Sequence, residues 1–117
     1  MQIAVHGRHV EIGEDLRSLA AEKLVHLERF LDGTERAEVL FVRDHAARDD
    51  GHVSCEVTIL ARGRSIRSKA TGHVPAVALE AAVEKEMHRL TRMKDRLVQR
   101  SRPRHGIAGR PDTETGG

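Results

Sequence analysis

The sequence predicts an α+β fold, a two-layer sandwich in the order β-α-β-β-β-α, with two helices on one face of a four-stranded sheet. Three observations lead there. Val53, Cys55, Val57, Ile59 and Ala61 alternate against Ser54, Glu56, Thr58 and Arg62, the signature of a half-buried strand. Two longer stretches repeat apolar residues every three and four positions, as amphipathic helices do. Glycine- and aspartate-containing breaks separate these patterns. At 117 residues the chain suits one compact domain with a real core.

Taken in order, Met1 to Val10 alternates loosely through Ile3 and Val5 and reads as the first strand. Gly13 can cap a helix whose opening acids, Glu14 and Asp15, suit the positive end of its dipole. Leu16, Leu19, Ala20, Leu24, Leu27, Phe30 and Leu31 form one apolar face, and Asp32-Gly33 is the expected stop. Glu38 to Arg43, carrying Val39, Leu40, Phe41 and Val42, suits a second strand. His45 to Gly51 is polar and ends in the turn signal Asp49-Asp50-Gly51. Val53, Cys55, Val57, Ile59 and Ala61 then face inward, with Ser54, Glu56 and Thr58 opposite.

Arg62-Gly63-Arg64 makes a tight hairpin, and Ile66, Ser68 and Ala70 return as the fourth strand. Thr71-Gly72-His73 breaks the pattern, and Pro75 fits the first turn of a second helix running to about Arg100. At ~1.5 Å per residue that helix is longer than a domain of this size needs. Its apolar face carries Leu79, Val83, Met87, Leu90 and Leu97. Residues 1–102 are expected to form the domain and residues 103–117, Gly-rich and polar, a disordered tail or linker.

Composition narrows the function. With 38% hydrophobic and 32% charged residues, the balance is that of a soluble globular protein. Two Phe and no Trp or Tyr argue against RNA recognition by base stacking on exposed rings. The lone Cys55 has no partner for a disulfide or a zinc site and falls on the inward side of its strand, so a small core residue and a reducing cytoplasm are expected. No apolar run has the length of a membrane span, and no signal-peptide pattern opens the chain. The eight His do not assemble a ligand set: His6 and His9 are three apart on a strand and point to opposite faces. No nucleophile motif, Gly-rich phosphate loop or suggestive acid pair is present, so the chain is expected to be neither an enzyme nor a cofactor or metal protein.

Charge is where the sequence is uneven. The net charge is only +2, yet Lys85 to Arg104 holds eight Lys or Arg against Glu86 and Asp95, leaving the other residues net acidic. On a helical wheel Lys85, Arg89, Arg92, Arg96 and Arg100 share an arc of about 80°, beside the apolar face. Such a rail suits successive phosphates, since guanidinium forks bind phosphate oxygens bidentately. The plain alternative is a solvated face whose late cations favour the helix C-terminus. Pairs such as Glu84 with His88 or Asp95 with Gln99 neutralise little of the stripe, which favours binding of a polyanion.

Several segments together resemble the hibernation promoting factor family, also called ribosome-associated inhibitors, across about the first hundred residues. They are Gly7-Arg8-His9-Val10, Leu16-Arg17, Glu22-Lys23-Leu24, Leu27-Glu28-Arg29, the hairpin at Gly63, Val83-Glu84-Lys85, and Leu90-Thr91-Arg92-Met93-Lys94-Asp95-Arg96-Leu97. The resemblance implies a fold similar to the double-stranded-RNA-binding domain. It also implies a protein that binds small-subunit rRNA in the mRNA/tRNA decoding channel, inhibits translation under stress or in stationary phase, and uses no cofactor. Lys85, Arg92, Lys94 and Arg96 fall on family cations of the last helix, and Lys23 on a family lysine of the first. Arg89 and Arg100 rest on the wheel alone. The family's Asp-Met-Tyr segment before the second helix is replaced by Val74-Pro75-Ala76, which removes the Tyr from that corner. Long members add a C-terminal dimerisation domain that this sequence does not carry, so binding and inhibition are expected without domain-driven ribosome pairing; the linker-like tail leaves a longer parent protein open. The competing function is a regulatory module whose basic helix binds an acidic protein.

Overall fold

The computed structural model describes residues 1–30, 33–43 and 52–101, with the side chains of the last helix described through Met93. Its elements are β1 (Gln2–Arg8), α1 (Glu14–Glu28), β2 (Thr34–Arg43), β3 (Val53–Ala61), β4 (Arg64–Gly72) and α2 (Pro75–Ser101). The strands form one four-stranded sheet in the order β1-β2-β3-β4. β1 runs parallel to β2, as a strand returned through a crossover helix must, and the other pairs are antiparallel. The expected α+β two-layer sandwich is therefore the observed one.

β3 sets the two faces. Its inward residues Val53, Cys55, Val57, Ile59 and Ala61 are buried, and each intervening residue is half exposed. Register carries the same face across the sheet: Val39 lies opposite Val57, Phe41 opposite Cys55, and Ser68 opposite Val57 on the other side. α1 closes this layer with Ala20, Leu24 and Leu27, and α2 with Ala78, Leu79, Ala82, Val83 and Leu90. The core is aliphatic around the one fully buried ring, Phe41, as a chain with two Phe and no other aromatic must build it.

Four boundaries differ from the sequence expectation. α1 stops at Glu28, short of Asp32-Gly33, because Arg29 and Phe30 close the last turn with N–H bonds to His26 and Leu27 carbonyls. Gly33 at φ +81° instead shapes the turn into β2; Leu31 and Asp32 lie outside the described residues. β2 begins at Thr34, earlier than Glu38, through a register shift between Thr34 and Arg36 opposite the end of β3. β4 extends to Arg64 and Gly72, so the hairpin is the two-residue turn Arg62-Gly63, with φ of 53° and 78°. β1 ends at Arg8, since His9 turns to φ 60°. The expected turn at Asp49-Asp50-Gly51 and the tail 103–117 lie outside the described residues.

Leu24 is fully buried between α1 and the sheet. Leu24→Ala should lower unfolding free energy by about 2–5 kcal/mol, read from the midpoint of a urea titration at unchanged slope.

Candidate nucleic-acid interface

The cations of α2 are presented by the way this helix is seated. Pro75 supplies a preset φ in the first turn, and the Val74 carbonyl accepts hydrogen bonds from the N–H groups of Val77 and Ala78, both at 3.1 Å. The buried arc then runs through Ala78, Leu79, Ala82, Val83, Glu86 and Leu90. It is wider than the large apolar residues alone outline, because two alanines let the helix lie close on β3 and β4.

Glu86 occupies the middle of that arc, with no side-chain exposure. The Ser68 hydroxyl of β4 donates to its Oε1 at 2.7 Å, while Oε2 is buried without a partner. Burial pushes the carboxyl up to about 7; the Ser68 hydrogen bond, the Arg89 charge and the Ile59 backbone pull less strongly the other way. The sequence placed Glu86 only as a charge offsetting its cationic neighbours. A polar residue inside an apolar period is invisible as a buried group until the seating of the helix is known.

Lys85, Arg89 and Arg92 all emerge on the exposed side, within an arc of about 60° on the wheel. Lys85 is also a tether, its Nζ donating to the Lys69 carbonyl at 3.0 Å on the outer edge of β4. This contact places the cationic flank on the β4 side of α2. Neither Arg89 nor Arg92 forms an ion pair among the described residues. Lys94, Arg96 and Arg100 continue the helix, but their side chains lie outside the described residues. Lys23 stands elsewhere. It projects from α1 to Glu80 of α2 at 3.8 Å, and Glu80 is about 140° around the helix from Lys85. The structure thus gathers Lys85, Arg89 and Arg92 on one flank and leaves Lys23 across the helix.

The opposite sheet face is electrostatically different. A shallow trough there is lined by His6, Arg8, Glu38, Glu56, Thr58 and Arg67. Its charges are matched locally: Arg36 meets Glu38 at 2.8 Å and Arg67 meets Glu56 at 3.6 Å. Mixed sign makes it a poor surface for a polyanion. Cys55 is buried as expected, its thiol pushed up to about 12 chiefly by burial and then by Glu56, so it is no nucleophile. No group of three or more His, Cys, Asp or Glu among the described residues could hold a metal ion.

With this geometry in view, the profile of the family described as Sigma 54 modulation protein / S30EA ribosomal protein matches residues 3–98. The chain is 40% identical over 100 residues to the ribosome hibernation promotion factor of Mycobacterium tuberculosis, a match covering 81% of this chain and 44% of that protein. It is 29% identical over 99 residues to the ribosome hibernation promoting factor of Escherichia coli K12, covering 85% of this chain and 99% of that protein. In structure it is similar to the Thermus thermophilus Protein Y N-terminal domain, with a TM-score of 0.67 at 23% identity over 80% of this chain and 99% of that one. It is similar also to a ribosomal subunit interface protein from Coxiella burnetii, with a TM-score of 0.68 at 19% identity over 81% and 99%. The two structures share its fold.

Glu86 gives the site a pH signature. Its folded pKa lies near 7, above the ordinary 4.5, so the folded state holds a proton that the unfolded chain releases. The stability this contributes is fully present below pH 4.5 and is lost as pH rises through 7, a span of about 3 kcal/mol. Urea titrations from pH 4.5 to 8.5 should show that decline in the native chain and a flatter profile in Glu86→Gln.

Proposed function

This chain belongs to the Sigma 54 modulation protein / S30EA ribosomal protein family, and on that premise we propose that it is a ribosome hibernation factor. In this reading it binds small-subunit rRNA in the mRNA/tRNA decoding channel and inhibits translation under stress or in stationary phase. It works in the cytoplasm as a binding protein, with no reaction to catalyse. The match takes in less than half of the Mycobacterium tuberculosis relative, so the activity carried over is that of the portion this chain shares.

The observation that carries the proposal is the flank of Lys85, Arg89 and Arg92, exposed on a helix whose other side is fixed to the sheet. Because the sheet holds the helix, these cations keep their spacing before any partner arrives, and little backbone ordering remains to be done on binding. Spacing of about one turn along the axis suits a phosphodiester backbone, and guanidinium groups bind its oxygens through paired donors. Arg96 and Arg100 extend the contact along α2, Lys94 adds a cation about 180° around that helix from Lys85, and Lys23 adds a separate one from α1. No helix among the described residues is long and apolar enough to cross a membrane, and the scarcity of aromatic residues favours backbone contact over base stacking.

Sedimentation with purified small ribosomal subunits tests the reading. The native chain should travel with the subunits at low salt and be released steeply as salt rises. Arg89→Glu with Arg92→Glu should leave the chain at the top of the gradient, with a melting temperature within a few degrees of native, since both side chains are exposed. A double variant that still co-sediments, or a native chain that never does, would overturn the proposal. Capture of an acidic protein in place of subunits would favour the regulatory-module alternative.

A further inference from the structure

The turn joining β3 to β4 carries two arginines, Arg62 and Arg64, that the rail on α2 does not include. Arg62 sits at φ 53° ahead of Gly63 at φ 78°, the pattern of a two-residue primed turn. Asn, Asp or Gly is the favoured residue at that first position, because a β-carbon there crowds the backbone. An arginine held there is a small local strain, and the residue is exposed. Its stem lies across Gly33, itself at φ +81°; a β-carbon on Gly33 would fall 2.8 Å from Arg62 Nε and 3.0 Å from its Cγ. The glycine leaves the room in which the guanidinium arm is laid. Arg64, the first residue of β4, is also exposed, and neither arginine forms an ion pair among the described residues.

Register places this turn beside the rail. β4 is the outermost strand on the cationic side of α2, as the Lys85 contact to the Lys69 carbonyl requires. Glu86 is level with Ser68. From Ser68 back to Arg64 the strand covers about 13 Å. The helix, running the opposite way, covers that distance in about nine residues, so it draws level with Arg64 near residue 95; along the axis Arg92 lies about 4–5 Å short of that level and Arg89 about 8–9 Å. The helix remains on the core there, since Leu90 is fully buried and Met93 packs against the cluster.

We propose that Arg62 and Arg64 form a second phosphate-contacting arm, which with Arg89 and Arg92 grips an RNA backbone from two elements. The inference rests on the rRNA-binding reading above and sharpens it. A single helix offers one line of charge, whereas a turn and a helix at one pole offer two, matched to a strand with phosphates on more than one side. The chemistry recognised is the phosphodiester backbone itself, because guanidinium forks bind phosphate oxygens through paired donors.

The test is equilibrium binding to purified small ribosomal subunits across a salt series, comparing the native chain, Arg62→Asn with Arg64→Gln, and Arg89→Glu with Arg92→Glu. Asn accepts the left-handed conformation, so the turn variant should melt at or above the native temperature. It should nevertheless bind roughly tenfold more weakly, with the slope of log affinity against log salt shallower by about one to two. Should the double change lower the melting temperature, Arg64→Gln alone is the comparison, with a slope shallower by about one. Unchanged affinity and slope in the turn variant, while the α2 variant loses binding, would overturn the second arm and leave the first reading standing. If the native chain does not bind the subunits at all, both fail together.

Discussion

The contact between α2 and strands β3 and β4 governs what this molecule can present to a partner. A helix carrying cations on one arc and apolar residues on the next is ambiguous as long as it can roll. Rolling by one position, about 100°, would bury arginines and expose leucines. Two polar contacts fix the roll here. Ser68 holds Glu86 at the centre of the interface, and the Lys69 carbonyl holds Lys85 at its margin. They are consecutive on the helix and consecutive on the strand, so together they set rotation and axial register at once.

That arrangement costs stability. An apolar residue of similar volume in place of Glu86 would spare the desolvation that drives its carboxyl up to about 7 and the orphaned Oε2. The Ser68 hydroxyl is met only in the observed seating, so an axial slide of α2 that kept Glu86 buried would lose that donor. Buried polar groups that select one register at some expense in stability are well attested in helical assemblies. In this chain the same logic operates between a helix and a sheet. The aliphatic remainder of the interface, with its alanines and valines, would by itself accept several neighbouring positions.

The parts of the fold legible in the sequence are those with an unambiguous period. β3 alternates cleanly and was readable to the residue, and α2 was readable from Pro75 because proline fixes its start. Boundaries set by tertiary context were not. Residues 34–37 (Thr-Glu-Arg-Ala) look like loop by composition, yet Arg36 and Ala37 are strand because β1 and β3 pair with them on either side. Phe30 continues the helical period of α1 but falls beyond its last turn, its apolar ring serving the core from a bend. The rail was legible as a stripe, since Lys85, Arg89 and Arg92 need only helical geometry to align. Glu86 was not legible, because charge counted along a sequence has no depth. Lys23 entered through the resemblance, as a lysine of the first helix, and the packing of α1 against α2 sets it beside Glu80, across the helix from Lys85.

Depth also explains why the cationic flank stays available. Acidic side chains are plentiful in this chain, but the sheet's open face engages Glu38 and Glu56 with its own arginines, and Glu80 is taken by Lys23. Glu86, the acid nearest Arg89 along the helix, is turned inward, and burial pushes its carboxyl up to about 7. An exposed, fully ionised Glu at that position would lie one turn from the guanidinium and compete with any phosphate for it. Burying the carboxyl removes that competitor from the surface while using it to hold the helix, and among the described residues neither Arg89 nor Arg92 forms an ion pair.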